Sequence, residues 1–251
     1  MNILRRHPFP LRSSYRRVYP RVNDLFFRTV HVNEFPKSGG TWVARILAHA
    51  LDYRFDDNRW PAPGNAVMKH HRLSFGQPAT LCVVRDPRDV AVSFYHHCRT
   101  VYRDEGFNEA AVAIMRDKVF LTDRSEEEEL DAFVGIITGS PVFPAFTWSA
   151  FYTHPSRSNE RLVKYEDLRD DAATVLKDAL KALDINFDSA RVNDAVAEHD
   201  IDRLRSRGEN VGEGNFIRRG KVGGWRDSLS SNAVARIEAE AGSLLAKLGY
   251  A

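Results

Sequence analysis

Apolar positions along this chain follow two alternating rhythms. Short runs at Thr29–Phe35 (TVHVNEF), Ala66–His70 and Thr80–Val84 (TLCVV) read as strands, the last a continuous apolar run of the kind buried in parallel sheets. Between them lie helical stripes. Val43, Ile46, Leu47 and Ala50 share one side of a helix predicted from Thr41 to about Leu51. A second helix opens at Pro87, whose fixed φ suits a first turn, and runs to about Arg99. Ser125-x-x-Glu128 is a capping box ahead of Leu130, Phe133, Val134 and Ile137, so the glutamates at 126–129 read as a solvated first turn. Arg161–Lys164 is a further strand, and the helix after it turns Val175, Leu176, Ala179, Leu180 and Leu183 inward. A last helix is predicted from about Asn232 to Leu248. Strands alternating with helices predict an α/β fold with a central, mainly parallel sheet flanked by helices.

Composition narrows the class. With 251 residues, 43% hydrophobic and 28% charged, the chain has the apolar surface for a core and is neither disordered, collagen-like nor a disulfide scaffold. Cys82 and Cys98 form no disulfide framework and no metal-ligand cluster, so a reducing compartment, the cytoplasm, is expected. Arg5, Arg6, Pro8 and Pro10 interrupt the start of the chain before any signal-peptide core. The uncharged run 132–153 has the length of a membrane span, but Gly135, Gly139, Pro141 and Pro144 mark it as buried protein.

Charge divides the chain where composition does not. No repeat or Gly/Ser-rich linker appears, so the reading is a basic arm at 1–29 and one domain at 30–251. Residues 1–30 hold seven arginines against one acid, Asp24, although the net charge of the whole is only +2. Such an arm suits an anionic or surface-bound acceptor, including peripheral membrane contact, and equally suits a terminal segment packed on the body. Nucleic acid is not an expected partner, and the oligomeric state is left open.

Three segments look built for anions. Phe35-Pro36-Lys37-Ser38-Gly39-Gly40-Thr41-Trp42 lies between a strand and a helix, where glycines admit a ligand to the backbone, helix-terminal amides point at it and Lys37 adds charge. A Walker A loop is excluded, because its glycines would fall at His31 and Pro36. Arg85-Asp86-Pro87-Arg88-Asp89 opens a helix after the TLCVV strand, and Arg85 with Ser93 suits a second phosphate unless Asp86 or Asp89 neutralises the arginines. Strand ends of a parallel sheet share one rim, so these two segments are expected side by side. The third, Phe216–Arg226 (FIRRGKVGGWR), suits a loop that closes over a polyanion. His96 and His97 read as structural or partly exposed, and Phe143, Phe146, Trp148, Phe151 and Tyr152 as core before pocket.

Together these segments resemble the sulfotransferases that use 3′-phosphoadenosine 5′-phosphosulfate (PAPS). PKSGGTW at 36–42 resembles their 5′-phosphosulfate loop, usually PKSGTTW. RDPRDVAVSFYHH at 85–97 resembles their 3′-phosphate segment, and FIRRGKVGGW at 216–225 their RKGxxGDW motif. Tyr165-Glu166-Asp167-Leu168 is similar to their YED segment and Lys69-His70-His71 to their K-T-H. The resemblance covers roughly residues 30–228. It implies a P-loop-like three-layer fold and transfer of a sulfuryl group from PAPS to a hydroxyl acceptor, a small alcohol or phenol, a lipid headgroup or a glycan, leaving 3′,5′-adenosine bisphosphate (PAP).

By the same resemblance Lys37 contacts the leaving phosphate, and Ser38, Gly39, Gly40 and Thr41 wrap the 5′-phosphate. Trp42 and Tyr165 lie on adenine, while Arg85, Ser93, Arg218, Arg219 and Gly220 hold the 3′-phosphate. Lys69 assists, His71 is the general base, and no metal is implied. Alternation along a strand leaves open whether His70 or His71 faces the site, with motif register favouring His71. Gly40 stands where the family has threonine and Gly224 where it has aspartate, and the dimer motif of some cytosolic members is absent after Trp225. Two other readings are a nucleotide-dependent phosphoryl-transfer enzyme and a noncatalytic binder of adenosine bisphosphates.

Overall fold

The computed structural model describes residue 19 and residues 22–55, 62–73, 79–101, 109–155, 160–206 and 221–251. Five strands form one sheet: β1 (Thr29–Glu34), β2 (Arg54–Phe55), β3 (Ala66–His70), β4 (Thr80–Val84) and β5 (Arg161–Lys164). Their order is β2-β3-β1-β4-β5, and every pairing is parallel. Helix α1 (Gly40–Leu51) follows β1, and α2 (Pro87–Val101) follows β4. Then come α3 (Glu109–Lys118), α4 (Glu126–Gly139), α5 (Trp148–Thr153), α6 (Tyr165–Ala182), α7 (Ser189–Glu198), α8 (Ile201–Ser206), a 3-10 turn at Gly224–Asp227, α9 (Ser231–Ala241) and α10 (Ser243–Lys247).

Both faces of the sheet are covered, which is why the inner strands tolerate apolar residues at nearly every position. On one face Val30, Val32, Val67, Leu81 and Val83 pack against Ile46 and Leu47 of α1, Leu176 and Leu180 of α6 and Val192 of α7. On the other, Phe35, Cys82 and Val84 meet Phe94, Met115, Phe133, Phe151 and Leu245. Full burial of each such side chain contributes about 1.5–3 kcal/mol. Three layers, helix on sheet on helix, result.

Two elements depart from the sequence reading. The C-terminal helix is broken: Gly242, at φ 54, separates α9 from α10. Helix α6 bends at Asp171, whose φ of −148 and ψ of 78 are not helical. The uncharged stretch is indeed folded into the body, with α4 ending at Gly139 and α5 starting at Trp148. Among the described residues no helix is long and apolar enough to cross a membrane.

Candidate active site

Strand β1 sits at the centre of the sheet, and the chain leaves its two sides in opposite directions, to β3 on one and β4 on the other. A crevice at the carboxyl ends follows from that reversal. The loop Phe35–Gly39 rises there, with Lys37 at φ 74 and Gly39 at φ 106. A lysine held at positive φ costs about 1–3 kcal/mol, a strain that concentrates at binding sites. Glycine is required at 39 for a second reason: a Cβ would lie 2.6 Å from Cδ2 of Tyr165.

Around this loop the cations gather. Lys69 Nζ donates to Thr41 Oγ1 at 2.7 Å. Burial pushes Lys37 down to about 8, Glu34 opposing the fall and Lys69 and Arg85 adding to it. Lys37 therefore remains mostly cationic near neutral pH. Ser38, fully buried, meets the hydroxyl of Tyr152 at 3.1 Å, and that hydroxyl donates to the Val83 carbonyl at 2.7 Å.

The two adjacent histidines meet different partners. His70 Nε2 lies 3.1 Å from His31 Nδ1 in a buried pair. His71, one residue past β3, lies at the carboxyl end of β1, its Nδ1 3.1 Å from the Glu34 main-chain carbonyl and 4.0 Å from Glu34 Oε1. A carbonyl only accepts, so Nδ1 carries the proton and Nε2 keeps its lone pair. Burial, then the positive charge of Lys69, pushes the His71 pKa down, although 34% of its side chain meets solvent. His97 is pushed down to about 4 by burial and then by Lys37 and Lys69.

Arg85 forms the other half of the rim. It is 8% exposed, lies 4.4 Å over the Tyr165 ring, and donates from Nη2 to the Lys221 carbonyl at 3.2 Å. Among the described residues its buried Nε has no hydrogen-bond partner. A buried guanidinium N–H calls for an acceptor. Asp89 approaches Nη2 only to 3.8 Å, being occupied by the Gly223 and Trp225 amides at 2.7 and 3.0 Å. Asp86 instead neutralises Arg88 at 2.9 Å, and Arg88 also binds Glu238 and lies 4.3 Å over Trp225. Arg88 is thus a structural clamp, whereas Arg85 has capacity to spare. Trp42, 5% exposed, donates from Nε1 to the His199 carbonyl at 2.7 Å and meets Tyr165 edge-on at 6.0 Å.

Comparison with known proteins gives this arrangement a family. The family model for the sulfotransferase domain matches residues 77–249, more than half of the chain. The chain belongs to the sulfotransferase family. The luciferin sulfotransferase of Photinus pyralis is 25% identical over 182 residues, 64% of this chain and 43% of that protein, so the match spans less than half of that relative. The amine sulfotransferase of Oryctolagus cuniculus is 21% identical over 266 residues, 88% of this chain and 83% of its own. Among solved structures, mouse sulfotransferase SULT7A1 complexed with PAP shares the fold at a TM-score of 0.61, with 17% identity and coverage of 92% of this chain and 88% of that one. Retinol dehydratase in complex with androsterone and inactive cofactor PAP gives 0.59 and 17%, covering 86% and 80%.

In this sulfotransferase the first loop, Lys69, His71, Arg85, Trp42 and Tyr165 share one rim of the sheet. Ser93 is half-buried on α2, one turn beyond Asp89. Arg218, Arg219 and Gly220 lie outside the described residues. Three neighbours of the site were invisible to sequence reasoning. Glu34 read as one more residue of the first strand and Tyr152 as one more core aromatic. His97 looked structural, although its spacing from Asp89 and Ser93, four residues at each step, puts all three on one helix face.

Proposed function

We propose that this sulfotransferase binds PAPS across the rim and transfers its sulfuryl group to a hydroxyl acceptor. The observation that carries the reading is Arg85: a buried guanidinium whose Nε has no partner among the described residues, beside the aromatic pair Trp42 and Tyr165 and across from the Lys37 loop. That spacing of cation, aromatic rings and cation-bearing loop fits a nucleotide with phosphate at both ends. PAP in both solved neighbours supports the same ligand.

His71 serves as the general base. With Nδ1 committed to the Glu34 carbonyl, Nε2 takes the proton of the acceptor hydroxyl as its oxygen attacks sulfur. The new bond is O–S; the bond that breaks joins sulfur to the bridging oxygen, whose electron pair leaves with PAP. Lys37 and the amides at the start of α1 face the phosphate on which that charge develops, and Lys69 steadies Thr41 beside them. The scheme uses no metal. Buried Cys82 and Cys98, in no disulfide among the described residues, support a reducing, cytoplasmic setting.

Transfer of labelled sulfur from PAPS to a panel of phenols, alcohols, glycans and lipid headgroups tests this. Wild type labels at least one acceptor, and His71→Ala lowers its turnover by roughly 10²–10⁴-fold. Magnesium-dependent transfer of the ATP terminal phosphate, with no sulfur labelling, would instead establish the phosphoryl-transfer reading.

A further inference from the structure

Glu34 is an acidic residue beside this chemistry, and nothing in the family resemblance assigns it a role. It is the last residue of β1 and 1% exposed. Burying a carboxylate is costly unless donors and cations meet it. Here the Gly40 amide donates to Oε2 at 2.5 Å, and Lys37 feels Glu34 as its strongest supporting charge. The other oxygen, Oε1, lies 4.0 Å from Nδ1 of His71, while the main-chain carbonyl of the same residue accepts a hydrogen bond from that nitrogen at 3.1 Å. One residue therefore holds the loop with one oxygen and faces the imidazole with two others.

Position 40 records the same fit. A Cβ there would lie 2.6 Å from Cδ and 2.9 Å from Oε1 of Glu34. With the glycine that stands in place of the usual threonine, the Glu34 carboxylate keeps this position; a side chain at 40 would make it shift.

We propose that Glu34 is the positioning residue for His71: its carbonyl fixes the Nδ1-protonated tautomer, and its carboxylate, anchored on the Gly40 amide, stabilises the imidazolium formed when Nε2 takes the acceptor proton. The inference rests on His71 being the base. It follows the logic of a carboxylate that orients a catalytic imidazole and stabilises its charged form without taking the proton itself. The charged and titratable groups around the pair are Lys37, Lys69, Arg85, His97, Cys98 and Tyr152. Loss of the Glu34 charge leaves mainly cations around the loop, so Lys37 gives up its proton at lower pH.

The test combines nitrogen NMR of the ligand-free wild type with kinetics of Glu34→Gln, which keeps the shape and an oxygen for the Gly40 amide. NMR should find His71 protonated at Nδ1; a proton on Nε2 overturns the proposal whatever the variants do. Glu34→Gln should lose about 10–100-fold in kcat, hold PAP within about threefold of wild-type affinity, and move the alkaline limb of kcat/KM to lower pH. Wild-type kcat with an unmoved limb, in a background where His71→Ala is inactive, overturns the role of Glu34 and leaves the base reading standing. Full turnover in His71→Ala overturns both.

Discussion

Gly39 carries two constraints at one atom. Its φ of 106 excludes most side chains, and the Tyr165 ring occupies the space a Cβ would need. Gly39→Ala should therefore distort the loop or push Tyr165 out of contact with Arg85, costing about 1–3 kcal/mol in stability and weakening PAP by roughly tenfold or more. Urea melts and calorimetry read both effects; wild-type values in both would show that the loop is not held as described. The glycine and the lysine were legible in the sequence because their types are unusual before a helix. Glu34 and Tyr152 were not, since a glutamate ending a strand and a tyrosine in an aromatic run have ordinary structural uses. Only the fold brings the Tyr152 hydroxyl, from α5, to Ser38 in the first loop.

Among elements, α2 does the most to shape the rim. It follows the buried strand β4, and its first turn presents Asp89 to the chain beyond Lys221. Two main-chain amides and the edge of Arg85 converge on that carboxylate, and burial, partly offset by Arg85, pushes its pKa up. Asp89→Ala should strip both amides of their acceptor, costing about 1–3 kcal/mol and accelerating hydrogen exchange at Gly223 and Trp225. Unchanged exchange at those amides would contradict the clamp. The strand–helix alternation and the capping box at Ser125 were readable because each depends on a few neighbouring residues, and the box is present with both of its bonds. The break at Gly242 was not, because a single glycine inside an apolar stripe is also tolerated by a continuous helix.

At the scale of the whole molecule, buried neutral histidines tie stability to pH. His31 is fully buried, and burial, with Arg72 adding, pushes it down to about 3; burial first, then Lys37 and Lys69, pushes His97 to about 4. Both titrate near 6.5 when the chain unfolds, so below that pH the unfolded state binds more protons than the native one. Their contribution is fully present above about pH 6.5 and drains away as pH falls toward the folded values. Melting temperature should accordingly hold level near neutrality and decline from about pH 6.5 to about pH 4; a level curve down to the carboxylate range would contradict the burial of these rings. The same topology separates two features that the sequence places close together. Residues 22–28, with Leu25 74% and Phe26 78% exposed, precede β1 and so sit at the amino edge of the sheet, opposite the rim that carries Lys37, His71 and Arg85.

The central claim is that this rim selects a nucleotide by its 3′-phosphate, and calorimetric titration with PAP tests it most directly. Wild type should bind PAP at micromolar affinity or tighter and discriminate against 5′-AMP and magnesium-ATP. Arg85→Ala should lose about 10–100-fold of the PAP affinity, the worth of a charge-assisted bidentate contact, while its 5′-AMP affinity stays level. Equal affinity for PAP and 5′-AMP, or a PAP affinity indifferent to Arg85, would contradict the account.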